Sequence, residues 1–530
     1  MTDAPALFAA REPIFPRRVS GTFRRLKWAI MGVTLGIYYL TPWIRWDRGP
    51  NLPNQAVLVD LANRRFYFFW IEIWPHEFYF VAGLLIMAGL GLFLFTSALG
   101  RVWCGYACPQ TVWTDLFMAV ERRIEGDRNA RIRLHDAPWD PLKIRLRLTK
   151  WGAWLLIAVA TGGVWVFYFA DAPTLARDLF TLQAPAVAYT TVAILTATTF
   201  VLGGFMREQV CIYMCPWPRI QGAMMDPGTL TVGYRDWRGE PRGKGGVKRR
   251  EAAAAAIGGG EAVARYGAAV SKDEAAHRTA RDGRVLGDCI DCNACVAVCP
   301  MGIDIREGQQ MECITCALCI DACDDVMAKI GRPRGLIDYL ALDDRPPVTP
   351  GETAAAAHRG PRGLDPKPWA PKPVWQHVFR PRTMLYFALW SLIGVGLVVA
   401  LFVRSDIEMT VAPVRNPTFV TLSDGSVRNA YDLRLRNKHG ETRPFRLSLA
   451  AKSDLRIELE GEDDRIVDVP PNATWRQRVY VTARPQDAAA TLERSEFRFW
   501  VEDLVSDERA HTDTIFNGRE SLDERFGGAG

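Results

Sequence analysis

Two cysteine runs of the same spacing lie between residues 289 and 323, and together they hold eight of the chain's 12 cysteines. Each run reads C-x-x-C-x-x-C-x-x-x-C, a spacing that is typical of proteins with two [4Fe-4S] clusters. Three thiolates separated by two residues can surround one cubane, whereas the fourth lies too far along the chain and reaches the neighbouring cluster. The spacing therefore predicts two ligand sets, which are Cys289, Cys292, Cys295 and Cys323 for one cluster and Cys313, Cys316, Cys319 and Cys299 for the other.

Structural zinc and disulfides are the alternatives for these eight cysteines. Zinc sites usually pair two C-x-x-C units across a longer gap, and disulfides rarely persist in a reducing compartment, so both are disfavoured. The second run lacks the proline that follows the first, because Asp324 stands where Pro300 would predict a counterpart. This departure weakens the match to the ferredoxin pattern only slightly.

The other four cysteines belong to a second repeated motif, C-x-Y-x-C-P, which occurs at 104–109 and at 211–216. The two cysteines of each copy are four residues apart, so on a helix they would share one face and could bind one metal. Soft thiolates select Cu(I), zinc or iron–sulfur centres over hard cations. The motif predicts a metal or redox role, with a redox disulfide or ordinary buried small residues as alternatives, for Cys104, Cys108, Cys211 and Cys215.

Other ligand-type side chains are less informative. Interfacial packing is the favoured interpretation of the methionines that flank the second motif, Met206, Met214, Met224 and Met225. His76 lies at the end of one apolar segment, but no histidine falls within the other segments, which excludes bis-histidine haem. No Walker loop or G-x-G-x-x-G motif follows a strand pattern, so the sequence offers no nucleotide or flavin site and the electron donor must be another molecule.

Five windows of the chain are almost free of charge, and each has about 20 residues, enough for a helix to cross a hydrocarbon core of roughly 30 Å. The predicted membrane spans are 26–44, 78–99, 151–170, 187–206 and 384–403. The first is the weakest because Lys27 and Pro42 lie near its ends. Buried core helices are the alternative, but they are usually shorter and keep a polar stripe. The long polar N-terminus without a cleavage site predicts an uncleaved first span.

Lysine and arginine content alternates along the chain as five crossings require. The rich segments are 1–27, 101–150 and 207–250, and the poor ones are 45–77 and 171–186. We therefore expect the N-terminus, the 101–150 loop and residues 207–383 in the cytoplasm, and the tail after Arg404 outside. These basic loops account for the net charge of +6, so the charge predicts no nucleic-acid partner.

The predicted architecture is a multi-domain integral membrane protein. Its segments are a cytoplasmic N-terminal segment (1–25), a four-helix membrane domain (26–232), a flexible linker (233–283), a two-cluster ferredoxin-like domain (284–342), a proline-rich tether (343–383), a fifth membrane helix (384–404) and a β-sandwich (405–530). The sandwich is predicted from short runs of alternating apolar and polar residues with turn signals between them. It contains no cysteine and no catalytic constellation, since His439 and His511 are far apart in sequence, so we predict a binding module.

The order of these parts resembles the cytochrome c oxidase accessory protein family CcoG, also called FixG or RdxA. The likeness rests on the five apolar segments, the motifs CGYACP and CIYMCP, the segment YRDWRGEPRG, the paired cysteine runs and a β tail that opens with SDGSVRNAYDLRLRNK. It extends over nearly the whole chain from about Phe15. The cysteine runs alone are shared by many ferredoxins, but the combination is specific, and the Ala/Gly-rich stretch near 251–283 is where we expect a departure from relatives.

The resemblance implies a multi-pass ferredoxin of the bacterial inner membrane that acts in the assembly of a cbb-type oxidase and reduces Cu(II) to Cu(I) before copper insertion. It places the ferredoxin domain in the cytoplasm and an immunoglobulin-like domain in the periplasm. Carried over to this chain, the eight cysteines of the runs are cluster ligands, and the catalytic thiols that bind copper or a further cofactor are Cys104, Cys108, Cys211 and Cys215. The implied partners are the lipid bilayer, copper ions, copper chaperones or oxidase assembly factors, and a cytoplasmic electron donor.

Three functions fit these features. The leading hypothesis is a one-electron membrane reductase for copper. The second, which resembles quinol dehydrogenase subunits with similar membrane cysteine pairs, is a quinol-oxidising electron-transfer subunit. The third is a non-enzymatic assembly scaffold whose clusters are structural and whose β tail docks the oxidase.

Overall fold

The computed structural model describes residues 13–49, 52–240, 242–243, 287–344, 372–404, 407–461, 465–471 and 473–519. The chain divides into two compact units, Met1–Ile44 with Ala56–Val395 and Arg45–Gln55 with Gly396–Gly530. The first unit contains both cysteine runs and both C-x-Y-x-C-P motifs, and the second contains the β-sandwich. Most of the predicted linker and most of the predicted tether lie outside the described residues.

The first unit is mainly helical. Its α-helices are Thr22–Leu40, Tyr79–Leu99, Val102–Tyr106, Pro109–Glu125, Arg128–Asp136, Pro141–Val166, Ala172–Phe180, Ala186–Thr198, Trp217–Met224, Asp236–Gly239, Ala294–Val298, Leu318–Lys329, Val374–Val378 and Pro381–Val403. Two π-helical segments follow the eighth of these, Thr199–Met206 and Val210–Met214. An antiparallel sheet that the sequence analysis does not predict is formed by Val57–Asp60, Arg65–Phe68 and Ile71–Ile73.

Three helices in the described part of the chain are long and apolar enough to cross a membrane, namely Pro75–Leu99, Ala186–Met206 and Pro381–Val403. The prediction of five membrane-spanning helices is therefore wrong, because three of the described helices have the necessary length and composition. Helix Thr22–Leu40 is charged as far as Lys27, and helix Pro141–Val166 is charged as far as Lys150. The uncharged part of each is consequently shorter than a full span.

Two short strands close the segment that contains the cysteine runs. Strand Thr231–Tyr234 precedes the runs and pairs antiparallel with strand Ile337–Leu340, which follows them. Val232 and Tyr234 are buried among the apolar residues that surround the cysteines. The predicted linker boundary at 233 is thus corrected, because residues 233–240 form part of this strand and a short helix that begins at Asp236.

A carboxylate from the second cysteine run caps the first helix of the chain. Asp321 lies between Cys319 and Cys323 on helix Leu318–Lys329, and its two oxygens accept the backbone N–H groups of Phe23 at 3.2 Å and Arg24 at 2.7 Å. These N–H groups have no partner within their own helix, and a negative charge at a helix N-terminus is favourable. The cap therefore ties helix Thr22–Leu40 to the cysteine runs.

The second unit contains a sandwich of two antiparallel sheets. One sheet has the order Leu455–Leu459, Thr474–Ala483, Val427–Asn437 and Ile407–Pro413, with Val420–Thr421 also paired to Val427–Asn437. The other has the order Ile466–Val469, Arg443–Ala451, Arg494–Asp503 and Arg509–Asn517. Alternate residues of strands such as Val427–Asn437 and Arg494–Asp503 point into the shared core, as period-two patterns require. The buried Tyr431 connects the sheets, since its hydroxyl donates to the Ile515 carbonyl oxygen at 2.8 Å.

We predict that Asp321→Asn weakens the attachment of the first helix. One of its two acceptor oxygens becomes an amide group that cannot accept an N–H, so the folded state should lose about 1.5–3 kcal/mol. Heating the anaerobic protein while following the visible absorbance of the clusters measures the change. The matched control is Asp325→Asn, which removes only an exposed pair with Lys329 and should cost about 0–1 kcal/mol. Equal melting temperatures for the two variants would contradict the capping role.

Candidate iron–sulfur centre and adjoining thiols

The first cavity is formed by cysteines from both ends of the cysteine segment. Its lining includes Cys289, Cys292 and Cys295 from the first run and Cys323 from the end of the second. Apolar side chains such as Met327 complete the wall. The chain fold therefore brings the fourth thiol back to the first three.

The second cavity is lined by the other four cysteines of the two runs. Cys313, Cys316 and Cys319 of the second run line it together with Cys299 from the end of the first run. Cys295 contributes to this wall as well as to the first cavity. The two cavities are consequently neighbours that group the cysteines as the spacing does, while the ligand assignment itself stays a prediction.

The donor set of each cavity fits a cubane cluster. All 12 cysteines are free thiols, and four sulfurs facing one apolar cavity are the donors that a [4Fe-4S] cluster requires. Among the described residues, no group of three or more His, Cys, Asp or Glu side chains converges on a position for a single metal ion. A cubane does not require the thiolates to meet at one point, because each of the four thiolates bonds a different iron atom and the four sulfurs therefore lie further apart than around a single ion.

The two cysteine runs have the same unusual backbone conformation. Left-handed residues occur at Asp291 and Asn293 in the first run, and at the equivalent Thr315 and Ala317 in the second, with φ between 52° and 59°. Such residues turn successive backbone N–H groups toward one point, an arrangement found at many iron–sulfur sites. Left-handed backbone costs roughly 1–2 kcal/mol per residue outside glycine. Because the same costly conformation occurs at equivalent positions in both runs, we infer that it shapes the backbone around the two cavities.

A guanidinium group lies beside the first cavity. Arg306 lines this cavity and donates to Asp304, to Asp291 at 2.7 Å and to Asn293 at 2.6 Å. The hydrogen bond that Arg306 donates to Asp304 is the main reason that the pKa of Arg306 is raised, with a further contribution from Cys295. The positive charge is therefore permanent, and charge near a cluster is one determinant of its reduction potential.

The four remaining cysteines lie within electrostatic range of one another, and we call Cys104, Cys108, Cys211 and Cys215 the thiol repeat. Burial raises the pKa of both the Cys104 and the Cys211 thiol to about 12. Electrostatic interaction with each of the other three thiols also raises the pKa of Cys104, and interaction with Cys108 and Cys215 raises the pKa of Cys211. The Cys104 thiol donates to the buried Gln221 amide oxygen at 3.1 Å.

The two cysteines of each motif do not share a helical face, which corrects the sequence-based expectation. Cys104 lies in helix Val102–Tyr106, whereas Cys108 is the N-cap of the next helix, which starts at Pro109. Proline cannot donate a backbone hydrogen bond and favours the first position of a helix, so it ends one helix and begins another. In the second motif Cys211 lies in the π-helical segment, and Cys215 follows its end.

The first motif packs directly on the second cysteine run. A Cβ atom at Gly105 would lie 2.6 Å from the Ile314 carbonyl oxygen and 3.0 Å from the Cys316 Cα, distances that only glycine allows. The neighbouring Tyr106 hydroxyl donates to the Cys316 carbonyl oxygen at 3.2 Å. Arg101, which precedes the motif, donates to the carbonyl oxygens of Met311 and Cys313.

Comparisons with known proteins agree with this arrangement. Protein RdxB of Cereibacter sphaeroides is 62% identical over 98% of this chain and 98% of its own length. Protein RdxA of the same organism is 58% identical over 94% of this chain and 95% of its own, and the nitrogen fixation protein FixG of Rhizobium meliloti is 53% identical over 96% and 94%. The chain belongs to the FixG/RdxA family.

Family models also match individual parts of this FixG/RdxA protein. A 4Fe-4S dicluster domain matches residues 206–260 and 253–341, and a 4Fe-4S binding domain matches residues 80–125. The IG-like fold at the C-terminal of FixG matches residues 397–519, which confirms the immunoglobulin-like sandwich. The protein is therefore an iron–sulfur electron-transfer protein of the FixG family with apolar helices that suit a membrane.

We predict that Cys323→Ser removes the cluster of the first cavity and spares the second, although Cys323 belongs to the second run. Cys299→Ser should do the opposite. Anaerobic iron and sulfide analysis should give about eight iron atoms for the wild type and about four for each variant, because each cubane holds four. After reduction, the electron paramagnetic resonance spectra of the two variants should show two different single-cluster signals. Identical spectra from the two variants would refute the exchange of the fourth ligand.

Proposed function

We propose that this protein passes single electrons to Cu(II) bound by two thiols of the thiol repeat, Cys104 and Cys211, and that the Cu(I) produced serves the assembly of a cbb-type cytochrome c oxidase. The observation that carries the proposal is that Cys104 and Cys211 belong to one apolar core with Cys299, Cys316 and Cys319. Copper held by the thiol repeat would therefore lie beside the second cavity. This juxtaposition supplies a short route from an iron–sulfur centre to a soft metal.

The chemistry of the thiol repeat favours the reduced ion. Sulfur ligands prefer Cu(I) to Cu(II). The apolar surroundings of Cys104 favour the ion of lower charge, because burial penalises charge. Both effects increase the tendency of bound Cu(II) to accept an electron. Clusters in the two cavities would supply electrons one at a time, and each Cu(II) takes one.

We also propose that helix Pro141–Val166, which does not meet the length and composition of the three long apolar helices, returns the chain across the membrane between two of them. Cys104 follows the helix that ends at Leu99, and Cys211 follows the one that ends at Met206. Because the two cysteines are neighbours, both helix ends belong on one side of the membrane, and the chain has to return between them. Pro141–Val166 is the long helix in that interval. It supports the proposal even though its uncharged part is short.

The first helix fits the same scheme. Its N-terminus is bound by Asp321 of the second cysteine run, and near its other end Tyr38 donates to the Thr161 carbonyl oxygen of helix Pro141–Val166 at 2.7 Å. Together with the distribution of lysine and arginine, this supports a cytoplasmic position for the cysteine runs and a periplasmic one for the β-sandwich. The electron donor would then be cytoplasmic, and copper chaperones or oxidase assembly factors are the proposed partners.

We predict that reduced wild-type protein converts added Cu(II) to Cu(I), detected anaerobically with a Cu(I) indicator, and that combining Cys104→Ser with Cys211→Ser lowers the rate. Loss of one thiolate from each motif should lower the rate by about tenfold or more, because metal affinity responds on this scale even to indirect partners. Iron content must equal that of the wild type for the comparison to hold. The control is Met214→Leu, which removes an exposed thioether beside Cys215 and should leave the rate unchanged.

The opposite result would favour the scaffold function. If the double cysteine variant reduces Cu(II) at the wild-type rate and still supports oxidase maturation in cells, the thiol repeat is not the copper site. Reduction of the clusters by a quinol in the purified protein would instead favour the quinol-oxidising function.

A further inference from the structure

The two cysteine runs have the same spacing and the same left-handed positions, yet their surroundings differ. In the second run the five residues from Ile314 to Leu318 are all buried. In the first run none of the five equivalent residues, Ile290 to Ala294, is buried, and Cys292 and Asn293 are exposed. The equivalent of the exposed Cys292 is Cys316, whose exposure is 8%. The difference therefore arises from what covers each run and not from its sequence pattern.

The cover on the second run is the first C-x-Y-x-C-P motif and its neighbours. Gly105 allows the motif backbone to touch Ile314 and Cys316, and Tyr106 donates to the Cys316 carbonyl. Tyr339 from the closing strand donates to the Thr315 carbonyl oxygen at 3.2 Å. The second cavity thus faces the thiol repeat, and the run that forms the first cavity keeps Cys292 at the surface.

From this asymmetry we infer that the two clusters work in a fixed order, which deepens the proposed function and rests on it. The exposed Cys292 would let a soluble one-electron donor approach a cluster held by the first cavity. The covered segment around Cys316 would hold the other cluster beside the thiol repeat, which would receive the electrons. Electron transfer slows steeply with distance, so the surface cluster serves a diffusing donor and the covered cluster serves the buried acceptor. Gly105 and Tyr106 are positioning residues for the delivery step.

The order can be tested without copper. Cys299→Ser and Cys323→Ser each leave one cluster, so the paramagnetic resonance signal of each cluster can be followed separately in the full-length reduced protein in detergent. A water-soluble dysprosium(III) chelate relaxes paramagnetic centres that lie near the surface. We expect it to change the power saturation of the first cluster strongly and that of the second only weakly. Equal relaxation of both clusters, or stronger relaxation of the second, would overturn the inference.

A second variant keeps all cysteines and so does not depend on loss of a cluster. Gly105→Ala places a methyl group against the Ile314 carbonyl and should push the motif away from the second run. We expect a shift in the resonance signal and reduction potential of the second cluster alone, together with slower oxidation of the reduced protein by Cu(II). The control is Gly152→Ala, the same change at a helical glycine whose Cβ would meet nothing within 4 Å, and it should alter none of these.

The outcomes separate this inference from the proposed function. A Gly105→Ala shift confined to the first cluster's signal, or no shift in either signal, would overturn the order of the clusters. If the wild-type protein yields no Cu(I) at all, the copper function fails. The dysprosium and Gly105→Ala spectra would still report which cluster is at the surface and which one contacts the motif.

Discussion

The contact between Gly105 and the backbone from Ile314 to Cys316 is the constraint on which the functional part of the molecule depends. A Cβ at this position would overlap the Ile314 carbonyl, so the absence of a side chain at Gly105 is what lets the two chain segments approach this closely. This approach places the first motif against one cysteine run, and with it the Cys104 thiol. The Asp321 cap and the hydrogen bonds of Arg101 hold the surrounding helices in the same relationship.

The two cysteine runs form an almost symmetric internal duplication, but the residues that surround the two runs differ. The cysteine runs share their spacing and their left-handed residues, so the bonding requirements of a cubane account for what they have in common. What differs comes from outside the runs: Arg306 and solvent lie beside the first cavity, and the first C-x-Y-x-C-P motif lies beside the second. Because charge, hydrogen bonding and exposure set cluster potentials, two equal ligand sets can acquire unequal redox properties without any change of ligand.

Local sequence signals predicted those features that local chemistry determines. A short peptide has limited reach, so the fourth cysteine of a run cannot close the same cage as the first three, and the spacing alone predicts that Cys323 joins the first run. Period-two alternation likewise predicts the sandwich. The Asp321 cap could not be predicted, because it joins residues almost 300 positions apart. Nor could Thr315 and Ala317 in the left-handed region, since neither residue type favours it. The shared helical face expected for Cys104 and Cys108 failed because Pro109 starts a new helix, a signal that was present in the motif.

The pairing of Thr231–Tyr234 with Ile337–Leu340 has an evolutionary consequence. It fixes the departure and the return of the whole iron–sulfur segment at one place, so the chain enters and leaves that segment through a two-stranded stem. The described contacts of the stem and of the cavities are made by residues outside 244–286, so insertions or deletions within that range would leave those contacts in place. This offers a physical reason why related electron-transfer proteins could differ in length there without rebuilding either metal-binding part.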